Sequence, residues 1–134
     1  MKCLVMPSQT IGPFPHEAWR WAVDAGPAAS AATIEISGRV TDGAGQPVND
    51  AWLEFWAPEA ARLEAHQDKP WPGFRRAPTD AAGGYRITFP APSSAEPAIY
   101  VTIFSRGILT HLYTAVFVED APGLQKSELL QQIP

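Results

Sequence analysis

Histidine and tyrosine side chains are the strongest candidate metal ligands in the sequence. His16, His66 and His111 lie in three separate segments. His111 and Tyr113 are two residues apart, so on a strand both side chains lie on one face, and a His/Tyr pair is able to bind ferric iron. The alternative is a structural histidine on an edge or solvent-facing strand beside a packed tyrosine, and the rarity of metal sites favours it. No second pair completes a coordination sphere.

The sequence offers no clear nucleophile or acid–base pair. Cys3 stands near the start of the chain without evident His or Asn partners, and a single cysteine forms no internal disulfide. Glu119 and Asp120 are adjacent, so on a strand their carboxylates point to opposite faces. A GxSxG motif is absent, and the glycines at 43 and 45 precede no helix that would bind phosphate. We therefore predict no catalytic residue in this chain.

Arg106 is the best candidate for binding an anion. It stands beside Gly107 at the end of an apolar strand, where a fixed guanidinium is able to bind a carboxylate through two hydrogen bonds. The alternative is a solvated arginine in a turn. Arg75 and Arg76 form a second basic spot within a long segment without regular periodicity, and the same two interpretations apply to them.

Composition limits the classes of function. The 134 residues are 46% hydrophobic and 18% charged, which is typical of one globular domain. A net charge of −4 argues against nucleic acid and anionic membrane surfaces as partners. No apolar run approaches the roughly 20 residues that span a bilayer, and the run from Cys3 to Met6 is too short for the core of a signal peptide. We therefore expect a cytoplasmic protein.

Alternating apolar and polar residues predict a series of short strands. In the clearest one, Ile34, Ile36 and Val40 alternate with polar residues, which places one face of the strand on a core. Gly and Pro residues that favour turns separate the segments. The predicted strands are Thr33–Thr41, Ala51–Trp56, Tyr85–Phe89, Ile99–Phe104 and His111–Val118. Several short strands of this kind predict an all-β sandwich.

The chain divides into three predicted regions. Residues 1–32 form an N-terminal arm with a short helix within 16–24, and residues 33–120 form the sandwich core. Within the core, residues 57–78 have no clean period, so we expect a long irregular excursion with one helical turn around EAARLEAH, residues 59–66. Residues 121–134 form a C-terminal tail with the composition of a helix.

Four segments, in order along the chain, resemble one protein family. They are PSQTIGPF (Pro7–Phe14), ISGRVTDGAGQPVNDAWLEFWAPEA (Ile36–Ala60), FRRAPTDAAGGYRITF (Phe74–Phe89) and IYVTIFSRGILTHLYTAVFVED (Ile99–Asp120). As an ordered set they resemble the intradiol aromatic-ring dioxygenases, and among these the α-type subunits of protocatechuate 3,4-dioxygenases. The resemblance implies a β-sandwich of the prealbumin-like type, in agreement with the alternation.

Enzymes of this family cleave catechol-type rings with dioxygen, between the two hydroxyl-bearing carbons, at a ferric ion held by two Tyr and two His. The resemblance implies that this ion lies on a β-type subunit. The H-x-H positions correspond to Ala98 and Tyr100 here, the first Tyr position falls at Leu63 and Glu64, and the segment with the second Tyr is missing. We therefore expect that this chain binds no metal or other cofactor, that Fe(3+) is held by a partner subunit, and that the chain alone is inactive.

The resemblance also implies a substrate pocket. In α-type subunits the N-terminal arm and the arginine of the turn after a strand help to build the pocket that faces the partner's iron. Thr10, Ile11, Gly12 and Pro13 would line this pocket, and Arg106 would add positive charge near the carboxylate of an aromatic acid. The expected partners are a homologous β-type subunit and an aromatic acid at the interface, in an oligomer.

Two other functions stay open. Family α-type subunits continue with further strands after the LLQQIP of this sequence, so the sandwich is expected to be truncated at its C-terminal end and to expose an edge. This expectation favours, as an alternative, a catalytically inactive sandwich that acts as a binding or scaffold protein and self-associates. A third hypothesis is a solitary dioxygenase that uses Tyr100, His111 and Tyr113 as ligands.

Overall fold

The computed structural model describes residues 10–12, 14–23, 32–91, 99–119 and 124–132. Its strands are β1 (Thr33–Arg39), β2 (Trp52–Trp56), β3 (Phe74–Pro78), β4 (Gly84–Pro90), β5 (Ile99–Phe104) and β6 (Leu112–Val116). The helices are α1 (Arg20–Val23), α2 (Pro58–Leu63) and α3 (Glu128–Gln131), with a 3-10 turn at Leu124–Lys126. Within this described part of the chain, no helix is long and apolar enough to cross a membrane.

The strands form two antiparallel sheets. One consists of β1 and β4, and the other has the order β3-β2-β5-β6. In the first sheet Ile36 lies opposite Ile87, and in the larger sheet Phe55 lies opposite Val101. The inner faces of both sheets contribute to one hydrophobic core. The predicted all-β sandwich is therefore confirmed.

The core is built from alternate residues of the strands. Leu53 and Phe55 of β2 and Phe89 of β4 are fully buried in it. Ile34 and Ile36 of β1 pack against the same cluster, as the period of two predicts. Truncating a buried phenylalanine such as Phe55 typically costs about 3–5 kcal/mol, so these few aromatic residues account for much of the stability.

The prediction of a long irregular excursion at 57–78 is wrong at its C-terminal end, where a strand forms, whereas a helix lies near the helical turn that is predicted around residues 59–66. Helix α2 begins directly after β2 with Pro58 in its first turn, where proline is well tolerated. Strand β3 then pairs with β2 at the edge of the larger sheet. The sequence FRRAP does not look like a strand because its buried positions hold arginine and alanine instead of large apolar residues.

The two ends of the described chain contain short helices. The helix predicted within 16–24 is shorter than expected, since its regular part is Arg20–Val23. Trp19, directly before it, has a φ of 53°, a left-handed conformation that does not occur within a helix. In the tail, Ser127 Oγ accepts a hydrogen bond from Leu130 N at 3.3 Å and so caps α3. The division into arm, sandwich and tail stays a prediction.

Candidate functional site

A cleft lies between the N-terminal residues of the described chain and the turn that follows β5. We call residues 10–12 and 14–23 the arm segment. The cleft has a volume of about 350 Å³ and is lined by Ile11, Gly12, Pro15, His16, Asn49, Asp50, Trp52 and Arg106. The structure thus brings together three of the residues that the sequence analysis assigns to a substrate pocket, namely Ile11, Gly12 and Arg106.

Gly12 allows a sharp turn of the arm segment at the cleft. Its φ is 85°, a conformation that glycine adopts without steric cost. Its backbone N–H donates a hydrogen bond to Thr10 Oγ1 at 3.3 Å, so Thr10 stabilises the turn and is not among the described residues that line the cleft. Pro13, the fourth arm residue of the prediction, lies outside the described residues.

Arg106 is oriented by an acidic partner in the wall of the cleft. Its Nε donates a hydrogen bond to Asp50 Oδ2, and Asp50 Oδ1 accepts a hydrogen bond from Ser105 Oγ at 3.2 Å. The Arg106 side chain is 79% exposed, and its two Nη groups donate to no acceptor among the described residues. The hydrogen bond to Asp50 occupies Nε and leaves the terminal nitrogens for an anion.

A buried arginine of β3 holds the arm segment on the larger sheet. Arg76 Nη1 donates hydrogen bonds to the backbone carbonyls of Pro15 at 3.0 Å and Ala18 at 2.7 Å. Its Nε lies 3.2 Å from Glu54 Oε1, and its guanidinium carbon lies 4.7 Å from the centre of the Trp52 ring. Burial lowers the pKa of Arg76, and the negative charge of Glu54 opposes this shift.

The neighbouring Arg75 is buried on the other face of β3. Its Nη1 donates a hydrogen bond to Glu64 Oε2 at 3.1 Å, and its Nη2 donates to Oε1 of the same carboxylate. Gly73 N (2.9 Å) and Lys69 Nζ (3.1 Å) also contact this carboxylate. Burial alone would raise the pKa of Glu64, but the hydrogen bonds and the charge of Arg75 outweigh it and lower the pKa. Arg75 and Arg76 are buried, so the interpretation as solvated loop arginines is wrong for both.

The residues at the expected iron-ligand positions do not fit a ferric site. Glu64 is engaged in the buried ion pair, and Leu63 has no donor atom. Tyr100 stacks on Trp56 with the ring centres 6.0 Å apart. Ala98 lies outside the described residues. Where the structure describes the chain, no group of three His, Cys, Asp or Glu side chains is arranged to hold a metal ion.

His111 and Tyr113 contact each other on the edge of the larger sheet. His111 Nε2 and the Tyr113 hydroxyl form a hydrogen bond, and the His111 ring lies 5.3 Å from that of Phe104. Tyr113 belongs to the edge strand β6 and is exposed. His111 therefore lies at the edge of the sheet, as the alternative of a structural histidine predicts. Tyr113 is exposed, whereas that alternative predicts a packed tyrosine.

Asp50 and Trp52 line the cleft and Arg76 supports it, and none of the three is predicted from the sequence as part of the site. The sequence does indicate a role for Trp52. It lies on the face of β2 opposite to Leu53, and a large apolar residue there indicates that a second layer packs on that face. Asp50 contacts Arg106 across 56 residues of sequence, and no local pattern indicates this pair.

Comparison with known proteins identifies relatives over nearly the whole chain. A scan against protein-family models gives no match. The protocatechuate 3,4-dioxygenase alpha chain of Burkholderia cepacia is 33% identical over 155 aligned positions, which cover 96% of this chain and 77% of that protein. The protocatechuate 3,4-dioxygenase alpha chain of Pseudomonas putida is 30% identical over 139 aligned positions, which cover 85% of this chain and 69% of that protein.

A solved structure shows the same fold. Catechol 1,2-dioxygenase from Pseudomonas arvilla C-1 matches with a TM-score of 0.61 at 20% sequence identity. The match covers 79% of this chain and 41% of that enzyme, so this chain spans less than half of the enzyme's length. The resemblance to intradiol dioxygenases is therefore confirmed. Since an alpha chain that is 33% identical is matched over 77% of its length, this chain belongs to the protocatechuate 3,4-dioxygenase alpha-chain family of the intradiol dioxygenases.

Proposed function

We propose that this chain is the non-iron-binding alpha-type subunit of an enzyme that cleaves protocatechuate or a similar aromatic acid, and that a β-type partner chain holds the ferric ion. The observation that carries the proposal is the cleft in which Ile11, Gly12 and Arg106 meet. The names of the two alpha-chain relatives support the substrate class. The side chain of Glu64, which is engaged in a buried ion pair, and that of Leu63, which has no donor atom, support an iron site on another chain.

In this proposal Arg106 binds the carboxylate of the aromatic acid. Asp50 holds Nε, and the Nη groups donate charge-assisted hydrogen bonds, which contribute about 1.5–3 kcal/mol to binding. Ile11 and Gly12 line the same cleft, and the absence of a side chain at Gly12 allows close approach of the ring to the backbone. Thr10 fixes the turn at Gly12, and the role of Pro13 in the pocket stays a prediction. The chain alone would be inactive.

Reconstitution tests the division of labour between the two chains. This chain is co-expressed with a longer homologue that carries the two Tyr and the H-x-H ligands. Oxygen uptake with protocatechuate and iron content are then measured for the complex and for each chain alone. We expect ring cleavage by the complex and none by this chain. Stoichiometric iron and ring cleavage in this chain purified alone would contradict the proposal.

Arg106→Ala in the complex tests the role of the cleft. Loss of about 1.5–3 kcal/mol of binding corresponds to a rise in KM of about 10- to 100-fold, with little change in kcat. Arg86→Ala is the matched control, because Arg86 is an exposed arginine that pairs with Glu35 and does not line the cleft. An unchanged KM in Arg106→Ala would remove this arginine from the substrate site.

A second candidate function is a catalytically inactive sandwich that self-associates. Trp56, Tyr100 and Tyr113 are exposed on the outer face of the larger sheet, and exposed apolar surface of this kind is typical of protein interfaces. Light scattering with and without the β-type chain distinguishes the two functions. The second candidate predicts a stable homo-oligomer that does not take up the partner, whereas the first predicts a hetero-oligomer.

A further inference from the structure

Arg76 contacts two residues that line the cleft. Its Nη1 donates to the carbonyl of Pro15, and its guanidinium packs on the ring of Trp52. Pro15 and Trp52 both line the cleft, whereas Arg76 is not among its lining residues. Only 3% of Arg76 is exposed, so a molecule in the cleft does not reach it. Any influence of Arg76 on binding therefore passes through the residues that it holds.

Arg76 also holds the arm segment at a second point, Ala18 and Trp19. Arg76 also binds the carbonyl of Ala18, and its guanidinium carbon lies 5.5 Å from the ring centre of Trp19. The left-handed φ of 53° at Trp19 costs about 1–3 kcal/mol for a bulky residue and persists only where its surroundings hold it. Edge-on packing against Trp71 (4.8 Å) and Phe74 (5.8 Å) supplies those surroundings together with Arg76.

The chemistry of arginine suits this position. Its planar guanidinium stacks on indole rings while its N–H groups donate to carbonyl oxygens, and it is more weakly hydrated than an ammonium group. Glu54 neutralises the buried charge at 3.2 Å. A lysine at this position would keep the charge beside Glu54 but would lose the flat group that packs on Trp52 and Trp19.

We propose that Arg76 is a positioning residue that fixes the arm segment, keeps Ile11 and Gly12 opposite Arg106, and thereby sets the affinity of the cleft for its aromatic acid. The identity of the ligand rests on the proposed function, whereas the attachment of the arm segment does not depend on it.

Hydrogen exchange of the 134-residue chain alone tests the attachment. In Arg76→Met we expect peptides that cover residues 14–23 to exchange about tenfold faster or more, because two hydrogen bonds that hold this stretch are lost. The amides that report this change are Glu17 N, bonded to Phe14 O at 3.2 Å, and Ala22 N, bonded to Trp19 O at 2.9 Å. Peptides from β1 and β4 serve as the reference for global stability. Arg76→Lys should give an intermediate result.

Arg75→Met is the matched control for Arg76→Met. Arg75 is the adjacent residue of the same strand and is equally buried, but it contacts Glu64 instead of the arm segment. We expect Arg75→Met to speed exchange in residues 64–73 and to leave the arm segment unchanged relative to the reference. Arg76→Met leaves Glu54 without its cation, and the variant then does not fold if this unpaired charge is too costly. In that case the double variant Arg76→Met/Glu54→Gln removes the charge, and the same exchange experiment is done on it.

Kinetics of the complex with a β-type partner test the consequence for binding. We expect KM for protocatechuate to rise about tenfold in Arg76→Met, with kcat within about twofold, and to rise less in Arg76→Lys. Arg75→Met should leave KM unchanged. Unchanged exchange of the arm segment in Arg76→Met would overturn the attachment, whatever the activity. Faster exchange with an unchanged KM would overturn its link to the cleft, and Arg106→Ala then decides whether the proposed function fails as well.

Discussion

Arg75 and Arg76 are neighbours in β3, yet they act on opposite faces of the larger sheet. Arg75 lies on the inner face, where it binds Glu64 and packs 5.1 Å from the ring centre of Phe89. Arg76 lies on the outer face, where it contacts Glu54 and the backbone of the arm segment. Because side chains alternate along a strand, one step in sequence separates an arginine that stabilises the fold from one that shapes the site.

The carboxylates that pair with the two arginines differ in their access to water. The side chain of Glu64 is 0% exposed, whereas that of Glu54 is 20% exposed. Both arginines have a buried Nε without a hydrogen bond to any described residue; the Nε of Arg76 has only its ionic contact with Glu54. Removing one partner of an ion pair costs most where water cannot replace it, so the inner pair should be the more sensitive of the two.

Glu64→Ala should give the largest loss of stability. The substitution leaves Arg75 charged and buried without its carboxylate, and breaking a buried pair in this way costs about 3–5 kcal/mol. The N–H of Gly73 loses its acceptor as well. Urea unfolding followed by tryptophan fluorescence measures the loss. A cost within the range of about 0–1 kcal/mol that is typical of exposed pairs would contradict the expected sensitivity of the buried pair.

The sequence predicts strands that are buried through apolar residues. It predicts Ile99–Phe104 with the observed bounds, and it predicts Tyr85–Phe89 where the strand is Gly84–Pro90. Strand β3 is not predicted, because Arg75, Arg76 and Ala77 are buried in succession. A pattern search on hydrophobicity treats a charged residue as exposed. A strand whose two faces are buried through ion pairs and cation–π contacts therefore shows no alternation of apolar and polar residues.

The candidate site is predicted from the sequence only in part. Ile11 and Gly12 come from the family resemblance alone, whereas Arg106 is indicated also by its place beside Gly107 at the end of an apolar strand, and the three meet in one cleft. The contacts that hold them join distant positions, since Pro15 lies 61 residues from Arg76 in sequence. Such pairs depend on how the sheets and the arm segment fold together, and no local spacing encodes them.

Arg75→Met and Arg76→Met should differ in their cost to stability. We expect about 2–3 kcal/mol for Arg75→Met, which is less than for Glu64→Ala because the carboxylate keeps Lys69 and Gly73. For Arg76→Met we expect about 1–2 kcal/mol, since water is able to reach the carboxylate that it leaves. Urea unfolding of both variants measures the difference. A larger cost for Arg76→Met would reverse the order of the two faces.

Lowering the pH should change the contributions of Glu64 and Glu54 to stability in opposite directions. Despite burial, the hydrogen bonds from Arg75 and Gly73 lower the pKa of Glu64 below 4.5, so its stabilisation is present above pH 4.5 and is lost as pH falls through its folded-state pKa. Burial raises the pKa of Glu54 above 4.5, although the charges of Arg76 and His111 oppose this shift. Its contribution to the free energy of unfolding is therefore present below pH 4.5 and is lost as pH rises through its folded-state pKa.

Unfolding of the wild type, Glu64→Gln and Glu54→Gln between about pH 3 and pH 6 measures this difference. As the pH falls, we expect the wild type to lose stability relative to Glu64→Gln and to gain stability relative to Glu54→Gln. Changes of the same sign in both comparisons would show that the two carboxylates have similar environments, in contrast to the structure.

Arg86→Ala should have the smallest effect, because its ion pair is exposed to solvent. Arg86 Nη1 lies 3.5 Å from Glu35 Oε2, and the two side chains are 72% and 51% exposed. A pair of this kind contributes about 0–1 kcal/mol, and at about 1 M salt, where the Debye length is about 3 Å, even this contribution should disappear. Urea unfolding at low and high salt measures it. A cost equal to that of Arg75→Met would show that charge alone, and not its burial on one face of the sheet, determines what an arginine contributes to this fold.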